Sequence, residues 1–311
     1  MAYRLRRDES IPTGLRRLAR KELSAASEEL RRGDPPSDEA IHEARKGLKK
    51  VRVLLQLVEA DDGGGLKKGP KRLRAVNRSL SQLRDADAML QMLDKLRNRN
   101  RHLFDDRTFA RVRRRLSAFK REITQAAERD GAWPEAVNEL KKVRRSAKGW
   151  RPAHCGFRTL GEGIRLSYTR GRNAMDRARR TGKAEDYHEW RKEMKALWYK
   201  LRLLEECSPR VKHDVGVLHQ AETWLGDEHN LVVFCAEISK DASICNGLVD
   251  LSRLKLTVNH FQCDLRQKAI ARADTIYRRK PGAYVRAMKR AWKTWRRQTT
   301  SRPSTSNARA A

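Results

Sequence analysis

The chain has 311 residues and sets 71 lysines and arginines against 39 acidic residues, a formal net charge of +32, with a pI near 10.7. A compact chain with that surplus repels itself until a multivalent anion relieves it, which leaves nucleic acid, polyphosphate, an anionic membrane surface and, less well, acidic proteins as partner classes. Hydrophobic residues make up 39% and mean hydropathy is −0.83, and no apolar run approaches the roughly 20 residues of a membrane span, so no membrane-spanning helix is expected.

The N-terminal segment has no apolar stretch, and Asp8 and Glu9 argue against a transit peptide. Breakers then divide the chain: Gly33 to Pro36, Asp61 to Gly65, Gly69-Pro70, Asp130-Gly131, Gly149 to Pro152, Gly182, Ser208-Pro209 and Pro281-Gly282. Between them apolar residues recur at helical spacing, which predicts helices over 14–32, 37–60, 71–99, 107–129, 134–148, 155–181, 184–206, 210–245, 248–279 and 282–296. No segment alternates as a strand does. The fold class is therefore all-α, built of long antiparallel helices, with a disordered tail over 298–311. Five cysteines (Cys155, Cys207, Cys235, Cys245 and Cys263) form no C-x-x-C. They suit reduced, mostly buried thiols in a cytoplasmic protein.

The second and seventh predicted helices are copies of one pattern. Ile41, Ala44, Leu48, Val51, Leu55 and Val58 repeat the spacing of Tyr187, Trp190, Met194, Leu197, Leu201 and Leu204, and His188 follows His42 by 146 residues. Eight of eighteen positions are identical between 42–59 and 188–205, which duplication explains better than chance. The expected division is a first bundle over 1–150 and a second over 151–297.

On the polar side of these helices His42, Arg45, Lys46, Lys49 and Arg52 form one stripe, and His188, Arg191, Lys192, Lys195 and Arg202 form its copy. Glu43 and Glu189 should point away from the stripes. Clustered like charges destabilise an isolated helix, and the arrangement makes sense if a string of phosphates lies along it, gripped by Arg forks and Lys point charges. A solvated helix face is the bland alternative, and it stays open for Lys50 and Lys200, which do not match across the repeat.

The pattern H-x-x-R-[KR]-x-x-K at 42–49 and 188–195 resembles the CHAD family, the conserved histidine α-helical domain. So do Leu197-Trp198-Tyr199 and the run from Tyr168 to Arg172. The family's L-G-x-x-R-D signature is similar to Leu80 through Asp85, where Ser81 stands for the Gly. It is also similar to Leu225 through Asn230, where His229-Asn230 stand for Arg-Asp. The resemblance implies two helical bundles related by pseudo-twofold symmetry, whose basic faces line a cavity or groove that binds inorganic polyphosphate. It adds Arg84, Tyr168, Arg172 and His229 to the stripe residues as ligand contacts. It also implies a stand-alone binding module without a triphosphatase domain, with polyphosphate granules a candidate location.

Asp87 shares a seam with Leu73, Val76, Leu80, Leu83 and Leu90. A buried carboxylate needs a partner, and an Arg or Lys of the basic surface is the expected one, against a register slip or local exposure.

The rival classes are weaker. A phosphate enzyme would place carboxylates for Mg²⁺ beside its cationic clamp. The stripes carry none on their own face, and no Walker or H-E-x-x-H motif occurs. No metal site, cofactor or obligate protein partner is expected. Non-specific binding of RNA or DNA is the alternative function, since it draws on the same electrostatics. Stacking of bases would want more exposed aromatics than the 6% present, although Trp198 borders the second stripe.

Overall fold

The computed structural model describes residues 3–62, 68–152, 154–240 and 251–298. Their regular structure is helical throughout, with no strand: α1 (Ile11–Glu29), α2 (Asp38–Asp62), α3 (Lys68–Ser79), α4 (Ser81–Arg99), α5 (Asp106–Arg129), α6 (Ala132–Ser146), α7 (Phe157–Thr181), α8 (Ala184–Arg202), α9 (Pro209–Lys240), α10 (Leu251–Tyr277) and α11 (Pro281–Arg297). No helix among the described residues is long and apolar enough to cross a membrane. The expected helix ends at 241–245 and 248–250, Cys245, and the tail beyond Gln298 lie outside the described residues.

Local chemistry sets the boundaries. Ser10 caps α1 by accepting from the Thr13 amide at 3.3 Å, and Pro12 sits in the first turn where its missing N–H costs nothing. The helix thus begins three residues before the expected start, and it runs through Gly14. The single helix expected over 71–99 is broken at Leu80. Ser79 and Ser81 on either side donate their hydroxyls to the carbonyls of Val76 and Arg78, local bonds that compete with the helical ladder. α8 ends at Arg202, four residues early, and the chain turns through a short 3-10 segment, Glu205–Cys207. The thiols are less buried than expected: Cys207 is buried and Cys235 partly so, but Cys155 and Cys263 are exposed.

Every seam residue of the repeat is buried, from Ile41 to Val58 in α2 and from Tyr187 to Leu201 in α8 with Leu204 just beyond its end. One apolar cluster joins residues on both sides of position 150, including Leu48 and Leu57 with Leu197 and Leu204. A second cluster joins Met92 and Leu96 of α4 to Leu231 and Phe234 of α9. Gly163 allows α7 to lie close on α2, because a Cβ there would collide with Leu57 Cδ2. Together these contacts fix α2, α4, α8 and α9 around a shared polar space.

Candidate functional site

That space is a cavity of about 610 Å³. α2 supplies His42, Arg45, Lys46 and Lys49, and α8 supplies His188, Arg191, Lys192, Lys195, Trp198 and Tyr199. Asn77 of α3 and Arg84 and Asp85 of α4 close one side, while His219, Glu222, Asp227, His229 and Asn230 of α9 close the other. A second cavity of about 520 Å³ shares Lys49, Lys192, Lys195 and Tyr199 with it and adds Arg52, Arg170 and Lys200.

The cations perturb one another. Burial, followed by the charges of Lys195, Arg45 and Arg191, pushes the Lys49 ammonium down to about 7. Burial lowers Lys195 too, but Glu222 opposes the shift, accepting a hydrogen bond from Lys195 Nζ and pairing with Arg191 Nη2 at 3.2 Å. Burial and then Arg84 depress His42, and burial and then Lys192 depress His188. His229 is pushed down to about 4 by burial, then by His188, whose ring lies 4.1 Å away, and by Arg191.

Five buried polar atoms of the cavity wall have no hydrogen-bond partner among the described residues: Arg45 Nε, Asn77 Oδ1, His188 Nδ1, Arg191 Nε and Trp198 Nε1. Buried donors are costly to leave unpaired, and here three of the five are N–H groups of Arg and Trp, suited to anionic or neutral oxygen acceptors.

Ten expected contacts therefore meet in one cavity: His42, Arg45, Lys46, Lys49, Arg84, His188, Arg191, Lys192, Lys195 and His229. Arg52 lines the adjoining cavity. The remaining three lie elsewhere. Arg202 leans over the rings of Trp198 and Tyr3, at 5.1 and 5.6 Å. Tyr168 is wholly buried, and its hydroxyl donates to the carbonyls of Ile276 and Arg279 at 2.7 and 2.9 Å. It stacks on Tyr284 at 4.4 Å, so its place is the joint between α7, α10 and α11, outside both cavities. Arg172 is beside Tyr168 on α7 and lines neither cavity.

Other expectations need correcting as well. Glu43 and Glu189 line neither cavity, yet each takes the ammonium one turn on, Lys46 at 2.8 Å and Lys192 at 2.5 Å. Lys50 and Lys200 are not on a solvated face. Lys50 pairs with buried Glu22 at 2.8 Å, and Lys200, 3% exposed, donates to Ser167 Oγ at 2.6 Å and the Gly163 carbonyl at 3.2 Å. Asp87 is neither slipped nor exposed. It accepts from Arg84 Nη1 at 2.9 Å and Gln91 Nε2 at 2.8 Å, and Lys120 of α5 approaches its other oxygen at 3.3 Å.

The residues missed in the sequence are Asn77, Asp85, His219, Glu222, Asp227 and Asn230. They come to the cavity from α3, α4 and α9, and only the offset between the two signature-bearing helices could have pointed to them. His219 lies flat on Trp198, with centroids 4.7 Å apart. Among the described residues no group of three or more His, Cys, Asp or Glu could hold a metal ion.

A family model described as the CHAD domain matches residues 14–239. The crystal structure of the CHAD domain from the plant Ricinus communis is similar over 94% of this chain and 95% of that one, with a TM-score of 0.62 and 14% sequence identity, a likeness of fold. No curated protein matches the chain.

Proposed function

The chain belongs to the CHAD domain family, and on that premise we propose that it binds a polyanion, inorganic polyphosphate, in the cavity between α2, α4, α8 and α9. The observation that carries this reading is the convergence there of seven Arg and Lys side chains, two of them with buried, unpartnered Nε–H groups. Their repulsion, felt most by Lys49, is relieved by a chain of phosphates. The residues 1–150 and 151–297 each contribute one clamp. The role is binding, without catalysis, and its setting is the cytoplasm, where polyphosphate granules would present such chains.

The test is a competition at near-physiological salt. Long-chain polyphosphate should displace labelled single- and double-stranded nucleic acid at equal phosphate concentration, since the wall offers charge and few stacking faces. Victory for nucleic acid would transfer the function to that ligand, with the Trp198–His219 stack as its base platform. Polyphosphate should also raise the melting temperature, because a ligand at a hundredfold excess over Kd stabilises the fold by about 2.7 kcal/mol. Orthophosphate at equal phosphate should not.

A further inference from the structure

Asn77 and Glu222 hold corresponding places in the two halves. Leu225 follows Leu80 by 145 residues, and the same offset carries Asn77 onto Glu222. Both line the large cavity, each beside the paired cations of its own half. In the second half Glu222, 5% exposed, bridges Lys195 and Arg191 through a single oxygen, Oε1. In the first half the side chain is neutral. Arg45 reaches only the backbone carbonyl of Asn77, at 3.5 Å, and Asn77 Oδ1 and Arg45 Nε have no partner among the described residues.

Asp85 does not restore the balance. It lines the cavity among Arg45, Arg84 and Lys49, but among the described residues its carboxylate makes no hydrogen bond or ion pair with any of them. Glu222 behaves oppositely: burial works against its charge, yet Lys195, Arg191 and Lys49 hold its pKa below the usual range. The Arg191–Lys195 pair therefore has a carboxylate in contact, and among the described residues the Arg45–Lys49 pair has none.

A carboxylate oxygen between an ammonium and a guanidinium takes the contacts that a phosphate oxygen would take. We propose that Glu222 is a resident stand-in anion of the second clamp, so that a polyanion anchors on Arg45, Lys49 and Arg84 and must displace the Glu222 carboxylate to engage Arg191 and Lys195. This rests on the polyanion-binding reading above. It makes the duplicated site directional, with the first half the anchor and the second half opposed by like charge. The same carboxylate keeps Arg191 and Lys195 together when no ligand is bound.

Calorimetric titration of the full chain with long-chain polyphosphate tests the proposal. Glu222→Gln should tighten binding about tenfold and Asn77→Asp should loosen it about tenfold, the scale expected of one like charge at contact distance in a partly buried site. Asp264→Asn, which removes a carboxylate of α10 that is tied to Arg99 at 2.8 Å and lines neither cavity, should change affinity by less than about threefold. Arg45→Ala should weaken binding more than Arg191→Ala, and the two losses should become equal in the Glu222→Gln background. Unchanged or weaker binding by folded Glu222→Gln overturns the proposal, as does an equal gain from Asp264→Asn. Should Glu222→Gln fail to fold, Asn77→Asp decides: an affinity equal to wild type overturns it. Wild-type protein that ignores polyphosphate altogether would instead sink the functional reading first, and this one with it.

Discussion

Arg84 donates its Nε–H to Nδ1 of His42 across 3.1 Å, joining α4 to α2 at the wall of the cavity. A guanidinium can only donate, so His42 accepts, and its ring is neutral with the proton on Nε2. Arg84 is itself held by Asp87 and Gln91. The chain Asp87–Arg84–His42 thus presents an imidazole N–H and a guanidinium to the cavity in a fixed arrangement. In the second half the corresponding pair is His188 and His229, ring against ring.

This arrangement makes Asp87 a positioning residue. Asp87→Asn should weaken polyphosphate binding by about fivefold by freeing Arg84, a loss in the range of one charge-assisted contact. Arg84→Ala should weaken it at least as much, and the double variant should lose little more, because both act through one contact. Titration of the three variants checks this. Fully additive losses would mean that Asp87 acts elsewhere.

The stripes of α2 and α8 were legible in the sequence because helical period alone fixes which residues share a face. Eight of the expected contacts reach one cavity for that reason, and the resemblance supplied Arg84 and His229 beside them. What the sequence hid was tertiary. Glu222 lies on α9, which is buried against α4, α8 and α10 and so lacks a single apolar face to orient a reading. Tyr168 belongs to a motif, yet a motif does not state which side of its helix meets the core. The break at Leu80 depends on two serine hydroxyls turning back on the preceding turn, a local competition that apolar spacing does not register.

Acid should destabilise the unliganded protein. His42, His188 and His229 have folded pKa values below the unfolded value of about 6.5. As pH falls from about 7 toward the folded value of His229, about 4, the unfolded chain takes up protons that the folded chain refuses, and stability drops. After solvent screening of this half-buried ring, His229 should account for about 1–2 kcal/mol of the fall. Melting temperatures from pH 7 to pH 4.5 should decline less steeply in His229→Gln than in wild type. Parallel curves would remove His229 from the explanation.

Lys49 titrates on the other side of neutrality. Its folded pKa of about 7 lies below the ordinary lysine value of 10.5, so between those limits the folded chain binds fewer protons than the unfolded one, and its contribution to stability grows as pH rises. A bound phosphate chain reverses this by favouring the ammonium. Polyphosphate binding at pH 8 should therefore take up as much as about one proton, and affinity should fall from pH 7 to pH 9. Calorimetry in buffers of different ionisation enthalpy measures the uptake directly. In Lys49→Arg it should vanish while binding persists, and uptake that persists in the variant would assign the proton to another group.

The two clamps can be separated from bulk charge by three variants of equal net charge. The first replaces Arg45, Lys46 and Lys49 with Ala, and the second replaces Arg191, Lys192 and Lys195. A control replaces Arg107, Arg111 and Arg114, which are exposed on α5 and line neither cavity. Long-range attraction falls alike in all three, so only the clamp variants should lose about a hundredfold or more in polyphosphate affinity, together with a shallower dependence on salt. Stability should part the clamps in turn. Removing the first relieves repulsion around Lys49 and should leave the melting temperature level or higher. Removing the second leaves the buried Glu222 without its cations, a loss of about 3 kcal/mol for a broken buried pair, so binding must be read below the melting range of that variant. Equal loss of affinity in the α5 control would make binding diffuse and the cavity irrelevant to it.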